Sequence, residues 1–176
     1  MIFRQLFDKA SSTYTYLLAC EQTREAILID PVKEQLAQYL QLLRELDLTL
    51  LYAADTHTHA DHITALGALR DATGCVTLMG EFTQAGCVSR GLKDGEIFKV
   101  GALSIQALYT PGHTDESFSF VLNPTQPAAV FTGDTLLIRG FSSCPTIPRC
   151  IQAMITRAGP YRPLPKKNAV TRDWQV

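Results

Sequence analysis

The most informative part of the chain is a stretch with three histidines, Asp55-Thr56-His57-Thr58-His59-Ala60-Asp61-His62. The apolar run at 48–54 predicts a buried strand, so the stretch lies in the loop that follows this strand. Because alternate residues of an extended turn point the same way, His57 and His59 can share one metal ion. Asp61 and His62, at the end of the stretch, then face a position next to that ion. Neutral imidazole and carboxylate groups bind zinc, iron or manganese, so the stretch predicts a metal site.

Two later loops carry the other candidate ligands. His113 lies in the turn Thr110-Pro111-Gly112-His113-Thr114, and Asp134 lies in Phe131-Thr132-Gly133-Asp134-Thr135, directly after a predicted strand. All 4 histidines of the chain therefore fall in loops at the ends of strands, where binding sites are commonly built. Each feature also has a plainer interpretation when it is taken alone. The stretch at 57–62 could be a solvated polar loop, His113 a hydrogen-bonded turn histidine and Asp134 a turn or helix-cap aspartate. Taken together, the three loops favour one metal site.

The spacing of apolar residues predicts a layered fold of mixed α/β or α+β class. Asp30-Pro31 predicts the start of a first helix, with Asp30 as its N-cap. A second helix is predicted from apolar residues at helical spacing, Ile63, Leu66 and Leu69. Further β-rich runs lie at 14–18, 26–29, 76–79, 96–100, 103–108, 118–122 and 129–132. The order of strand, helix, strand, helix and then several strands indicates layers packed around a shared core.

Composition narrows the class of protein. The chain of 176 residues has the size of one domain, and its 46% hydrophobic and 19% charged residues are ordinary for a soluble globular protein. A formal net charge of −1 gives no reason to expect nucleic acid or an anionic membrane as a partner. No apolar run approaches the roughly 18–20 residues that span a bilayer. The 5 cysteines have no metal or redox spacing, which predicts reduced thiols and a cytoplasmic protein.

The three loops resemble those of the metallo-β-lactamase superfamily, in family order, and the resemblance runs from about residue 1 to Gly140. The superfamily fold is a four-layer αββα sandwich with metals at one edge. The amino-acid sequences at 56–64, 109–114 and 131–140 are similar to those of the persulfide dioxygenase (sulfur dioxygenase) branch, which is close to glyoxalase II. Such enzymes oxidise glutathione persulfide with O2 to sulfite and glutathione and use one Fe(II).

The resemblance assigns roles to six residues. It implies one iron held in the catalytic centre by three ligands, His57, His113 and Asp134. It implies that three neighbours orient these ligands or bind a second metal, namely His59, Asp61 and His62. Two histidines and one carboxylate leave open positions on Fe(II), as in non-haem iron oxygenases, where a persulfide and O2 can bind side by side. Arg139 is the candidate for the carboxylates of glutathione or a related low-molecular-weight thiol, or else it is a surface arginine.

Two other functions stay open at this stage. A glyoxalase II-like thioester hydrolase, or another metallohydrolase, would use zinc, and His57, His59 and His113 with water also form a hydrolytic zinc site. A binuclear hydrolase needs a further downstream histidine, and none follows His113 in the sequence. The second alternative is a fold that binds metal but has no catalytic activity.

The resemblance ends after Gly140. We therefore predict a metallo-β-lactamase-like domain at 1–140 and an atypical tail of the same domain at 141–176, in which 5 prolines crowd together between 145 and 165. The C-terminal part of the family fold is expected to be truncated or altered. Apolar surface would then be exposed, and association into a homo-oligomer is one expected consequence.

Overall fold

The larger of two β-sheets has six strands in the order β1-β2-β3-β4-β5-β6. The computed structural model describes residues 1–137 and 140–141. The six strands are β1 Ile2–Asp8, β2 Thr13–Ala19, β3 Glu25–Ile29, β4 Thr49–Ala54, β5 Val76–Gly80 and β6 Arg90–Leu92. The pairs β1–β2 and β2–β3 are antiparallel, whereas β3 to β6 run parallel. The carboxyl ends of β3 and β4 therefore meet at one edge of the sheet.

Two helices make the parallel connections. Helix α1 (Leu36–Glu45) joins β3 to β4, and α2 (Leu66–Thr73) joins β4 to β5. Their buried side chains Tyr39, Leu43, Leu66 and Leu69 pack in one cluster against the outer face of the six-stranded sheet. Helix α2 ends at Gly74, whose φ of +74° is the left-handed conformation that glycine adopts easily. Among the described residues, neither helix has the length and apolar character needed to cross a membrane.

The second sheet is antiparallel and covers the inner face of the first. Its order is β10-β9-β8-β7, with β7 Ile97–Val100, β8 Leu103–Tyr109, β9 Phe118–Leu122 and β10 Ala129–Phe131. Side chains alternate along each strand, so Phe118 and Phe120 face the inter-sheet core while Val121 faces the opposite side. A two-stranded hairpin of β11 (Leu136–Leu137) and β12 (Gly140–Phe141) follows.

The predicted layered fold of mixed strands and helices is confirmed. The β-rich runs predicted at 96–100 and 103–108 form the antiparallel hairpin of β7 and β8. Helix, sheet and sheet form three of the four expected layers. The prediction of a fourth layer is not tested by the described residues, and Arg139 and the tail from 142 onward lie outside them. The domain boundary at 140 therefore stays a prediction.

Two details of the helix predictions were wrong. Helix α1 begins at Leu36 with Gln35 as its N-cap, whereas Asp30 lies before it at a φ of +53°. The Asp30 carboxylate is hydrogen-bonded to the loop at 55–62, the histidine loop, so it is not available to cap a helix. Helix α2 begins at Leu66. Ile63 lies outside it, in the loop that follows β4, and 59% of its surface is exposed.

The burial of an aromatic ring in the inter-sheet core predicts how much stability the protein loses when that ring is removed. Phe120 is fully buried, so Phe120→Ala should lower the free energy of unfolding by about 3–5 kcal/mol through lost contacts and a cavity. Phe7 is the matched control, because its ring is 47% exposed and packs on Tyr14 alone among the aromatic contacts described. Urea unfolding of both variants measures the difference, and equal losses would contradict this view of the core.

Candidate metal centre

The predicted site residues meet at one edge of the sandwich. His57 and His59 follow β4 of the first sheet, His113 follows β8 of the second sheet, and Asp134 follows β10. One backbone hydrogen bond, from Phe118 N to Thr56 O at 2.8 Å, ties the first residue of β9 to the histidine loop. The site is therefore built across both sheets, and it requires them to be packed together.

The first ligand group consists of His57, His113 and Asp134. One ligand atom from each residue lies within 4.8 Å of the other two. Asp134 Oδ2 is 3.6 Å from His113 Nε2 and 4.0 Å from His57 Nε2. These distances exceed those of hydrogen bonds, but they suit ligands of one shared ion, since bonds of about 2 Å place neighbouring ligand atoms about 3–4 Å apart. Two imidazoles and a carboxylate are also a fitting donor set for a divalent metal.

A second ligand group lies beside the first. Ligand atoms of His59, Asp61 and His62 also lie within 4.8 Å of one another, and the rings of His57 and His59 are 4.2 Å apart between centroids. The Nε2 atom of His62 is buried and has no hydrogen-bond partner in the part of the chain that the structure describes. The structure thus brings all six predicted metal-site residues together as two adjacent groups.

Thr56 sets the orientation of the first histidine. Its hydroxyl lies 2.9 Å from His57 Nδ1, which leaves Nε2 on the side of Asp134. Burial, together with the nearby His59, lowers the pKa of His57 to about 4. The ring is therefore neutral near pH 7, the form in which histidine binds a metal.

Asp30 is a site residue that the sequence interpretation missed. Its buried carboxylate accepts hydrogen bonds from Thr56 N at 2.7 Å and from Thr56 Oγ1, and it lies 3.2 Å from His59 Nε2. Burial opposes protonation of His59, but the hydrogen bond and the charge of Asp30 outweigh it and raise the pKa of His59 to about 9. The sequence shows only that Asp30 directly follows a β-rich run, and the structure is needed to show that this strand is the parallel neighbour of β4.

Asp55 is a second buried carboxyl group close to the loop. It forms a third cluster with Asp30 and His59, in which the ligand atoms lie within 4.8 Å. Burial raises the pKa of Asp55 to about 7, with the charge of His59 acting in the opposite direction. Arg139, the predicted substrate-binding residue, lies outside the described residues.

Comparison with known proteins identifies the family to which the fold belongs. Residues 9–84 match the metallo-beta-lactamase superfamily. The crystal structure of ETHE1 from Myxococcus xanthus superimposes with a TM-score of 0.75 at 54% sequence identity, covering 81% of this chain and 61% of that chain. The chain belongs to the metallo-β-lactamase superfamily. The resemblance predicted from the three loops is thereby confirmed.

Curated relatives of this metallo-β-lactamase-superfamily chain come from two branches. The mitochondrial persulfide dioxygenase ETHE1 of Homo sapiens is 44% identical over 141 residues, which are 80% of this chain and 54% of the relative. A probable hydroxyacylglutathione hydrolase of Schizosaccharomyces pombe is 38% identical over 129 residues, which are 72% of this chain and 50% of the relative. The chain spans about half the length of the curated relatives it matches.

Gly133 lies so close to Thr56 and His57 that a side chain at this position should disturb them. A Cβ atom there would lie 2.3 Å from Thr56 Oγ1 and 3.1 Å from His57 Nδ1, and φ is +48°. Gly133→Ala should therefore displace the Thr56–His57 pair and weaken Zn(II) binding by about 10- to 100-fold, the usual cost of disturbing the neighbours of metal ligands.

Competition with a chelating dye measures this affinity. Gly95→Ala is the matched control, because Gly95 also has a positive φ, +76°, but a Cβ atom there would meet nothing within 4 Å. Equal Zn(II) affinities for the two variants would show that the contact with Thr56 is unimportant.

The Asp30–His59 pair predicts a pH-dependent contribution to stability. In the metal-free protein the pKa of His59 is raised from its ordinary 6.5 to about 9, and the pKa of Asp30 is lowered from its ordinary 3.8. The pair therefore stabilises the fold fully between pH 3.8 and pH 6.5. This contribution is lost as the pH rises through about 9. The loss of unfolding free energy caused by Asp30→Asn should therefore be largest between pH 3.8 and pH 6.5 and should shrink toward pH 9.

Chemical unfolding at a series of pH values tests this expectation. Asp71→Asn is the control, since the Asp71 side chain is 73% exposed in a surface pair with Arg70. A difference between wild type and Asp30→Asn that stays constant across the pH range would refute the ion pair.

Proposed function

We propose that this chain is an Fe(II)-dependent persulfide dioxygenase that oxidises glutathione persulfide with O2 to sulfite and glutathione. The observation that carries the proposal is the group of His57, His113 and Asp134, whose ligand atoms lie within 4.8 Å of one another. Two histidines and one carboxylate are the ligand set of non-haem Fe(II) oxygenases. The 54% identity to ETHE1 from Myxococcus xanthus supports the same function.

The three ligands would hold one Fe(II), with zinc as the alternative metal. When bound, Fe(II) would supply the redox chemistry that allows O2 to react with a persulfide sulfur. The chain itself prepares the ligands, because the Thr56 hydroxyl orients His57 and burial keeps that ring neutral. Asp30 in turn holds the Thr56 backbone and His59 in place.

The burial of the ligands indicates the direction from which a substrate arrives. The His57 side chain is only 3% exposed, whereas the side chains of His113 and Asp134 are 40% and 29% exposed. The thiol substrate and O2 would therefore approach from the side of His113. We assign to Arg139 the pairing with the carboxylates of glutathione or a related low-molecular-weight thiol, because guanidinium and carboxylate form strong charge-assisted hydrogen bonds.

A cytoplasmic location and association into a homo-oligomer stay predictions, and the human relative is named as mitochondrial. The near-balanced charge of −1 keeps nucleic acid and anionic membranes outside the proposed set of partners.

A second candidate function is a glyoxalase II-like thioester hydrolase. The observation that favours it is the adjacent group of His59, Asp61 and His62, which can supply ligands to a second metal. The hydroxyacylglutathione hydrolase relatives belong to the same superfamily, at 38% identity in the case quoted above. Two zinc ions and thioester turnover without O2 consumption are the expected properties of such an enzyme.

Metal content and O2 uptake distinguish the two functions. The protein is purified without oxygen, loaded with Fe(II) and supplied with glutathione persulfide. The dioxygenase should contain about one iron per chain and consume O2, as expected for one set of two histidines and a carboxylate. His113→Ala removes one of these ligands and should abolish both iron binding and O2 uptake.

Two further measurements complete the design. Asp71→Asn, at an exposed position in a surface pair, should match wild type in both assays. Two zincs per chain with hydrolysis of a hydroxyacylglutathione would establish the hydrolase instead. Normal metal content without turnover of either substrate would identify a metal-binding fold without catalytic activity.

A further inference from the structure

A hydroxyl group from the first hairpin reaches the second ligand group. Thr13 Oγ1 lies 3.3 Å from Asp61 Oδ2 and 3.3 Å from His62 Nδ1, and His62 Nδ1 lies 3.2 Å from Asp61 Oδ1. The three side chains thus form a closed triangle of hydrogen-bonding groups. Thr13 is separated from this loop by 48 residues in sequence, so only the folded chain brings them together.

The chemistry of the three groups fixes which atom carries each proton. An ionised carboxylate only accepts hydrogen bonds, so the Thr13 hydroxyl donates its one proton to Asp61 Oδ2. His62 Nδ1 faces Asp61 Oδ1 and the Thr13 oxygen, both of which are acceptors, so Nδ1 carries the ring proton. In the neutral ring the other nitrogen, Nε2, then holds a bare lone pair. This is the atom that is buried and has no hydrogen-bond partner within the described residues.

Thr13 is the rigid member of the triangle. It is only 2% exposed and begins β2, where it pairs with Asp8 across the hairpin. The Asp8 carboxylate is itself held by Ser11 and by Gln35, so the end of the hairpin is fixed from both sides. The Asp61 side chain, by contrast, is 49% exposed, and without a partner on Oδ2 it can rotate into water.

We propose that Thr13 is a positioning residue that holds Asp61 against His62, so that His62 keeps its proton on Nδ1 and presents a bare Nε2. The inference deepens the proposed function and rests on it in one respect, namely that the loop at 57–62 holds metal. Partners that select one nitrogen of a metal-binding histidine in this way usually affect metal affinity by about 10- to 100-fold.

The test reads the tautomer of His62 directly. The metal-free full-length chain is labelled with ¹⁵N, and the ring nitrogens of its histidines are recorded by two-bond ¹H–¹⁵N correlation. His62→Gln identifies the signals of His62 by their disappearance. Wild type should show a protonated Nδ1 and an unprotonated Nε2 at His62.

Two substitutions separate positioning from packing. Thr13→Val keeps the shape of the side chain but removes the hydroxyl, and it should shift His62 toward the Nε2-protonated form that histidine favours in water. Thr13→Ser keeps the hydroxyl and should restore the wild-type pattern. Circular dichroism and thermal unfolding confirm that each variant is folded, and a Thr13→Val chain that does not fold is replaced by Thr13→Ala.

Three outcomes would overturn the proposal. These are an Nε2-protonated His62 in wild type, an unchanged tautomer in the variants that lack the hydroxyl, and a Thr13→Ser variant that behaves like Thr13→Val. The measurement needs no metal, substrate or O2. A failure of the dioxygenase assay therefore leaves this result intact, and the two proposals fail independently.

Discussion

The conformation of the histidine loop depends on its hydrogen bonds to the buried carboxylate of Asp30. This carboxylate lies at the end of β3 and accepts hydrogen bonds from the backbone and hydroxyl of Thr56, at the end of the neighbouring strand β4. It also pairs with His59 Nε2 at 3.2 Å. A buried charge is costly unless it is paired and hydrogen-bonded, so this carboxylate and its partners constrain one another. The Asp30 carboxylate therefore links the loop that carries three of the four histidines to the end of β3.

The rest of the metal centre depends on the packing of two sheets. His57 comes from the first sheet, whereas His113 and Asp134 come from the second, and the Phe118–Thr56 hydrogen bond joins the two edges. The inter-sheet core of large aromatic and aliphatic side chains sets the distance between them, because close-packed interiors resist small displacements. Gly133 has no side chain, which allows the Asp134 turn to approach Thr56 closely.

Two candidate ligand groups lie side by side at the edge of the sandwich. One group has the two histidines and one carboxylate of a mononuclear iron site, and the other offers His59, Asp61 and His62. Relatives named as a dioxygenase and as a hydrolase both align with this chain. The hydroxyl of Thr13 lies 3.3 Å from both Asp61 Oδ2 and His62 Nδ1, so the first hairpin contacts the second group.

The sequence by itself determined the class of fold, and it predicted the six candidate metal-site residues that the structure brings together. Strand and helix periodicity is a local property, and the histidines stand in loops whose position follows from it. The sequence did not reveal the roles of Asp30 and Thr13, because each acts on residues far away in the chain. Asp30 was interpreted as a helix cap on local grounds, but the pairing of β3 with β4 places it under the histidine loop. Only the tertiary structure decided these contacts, since buried hydrogen-bond partners are selected by the packing of whole strands and not by neighbouring residues.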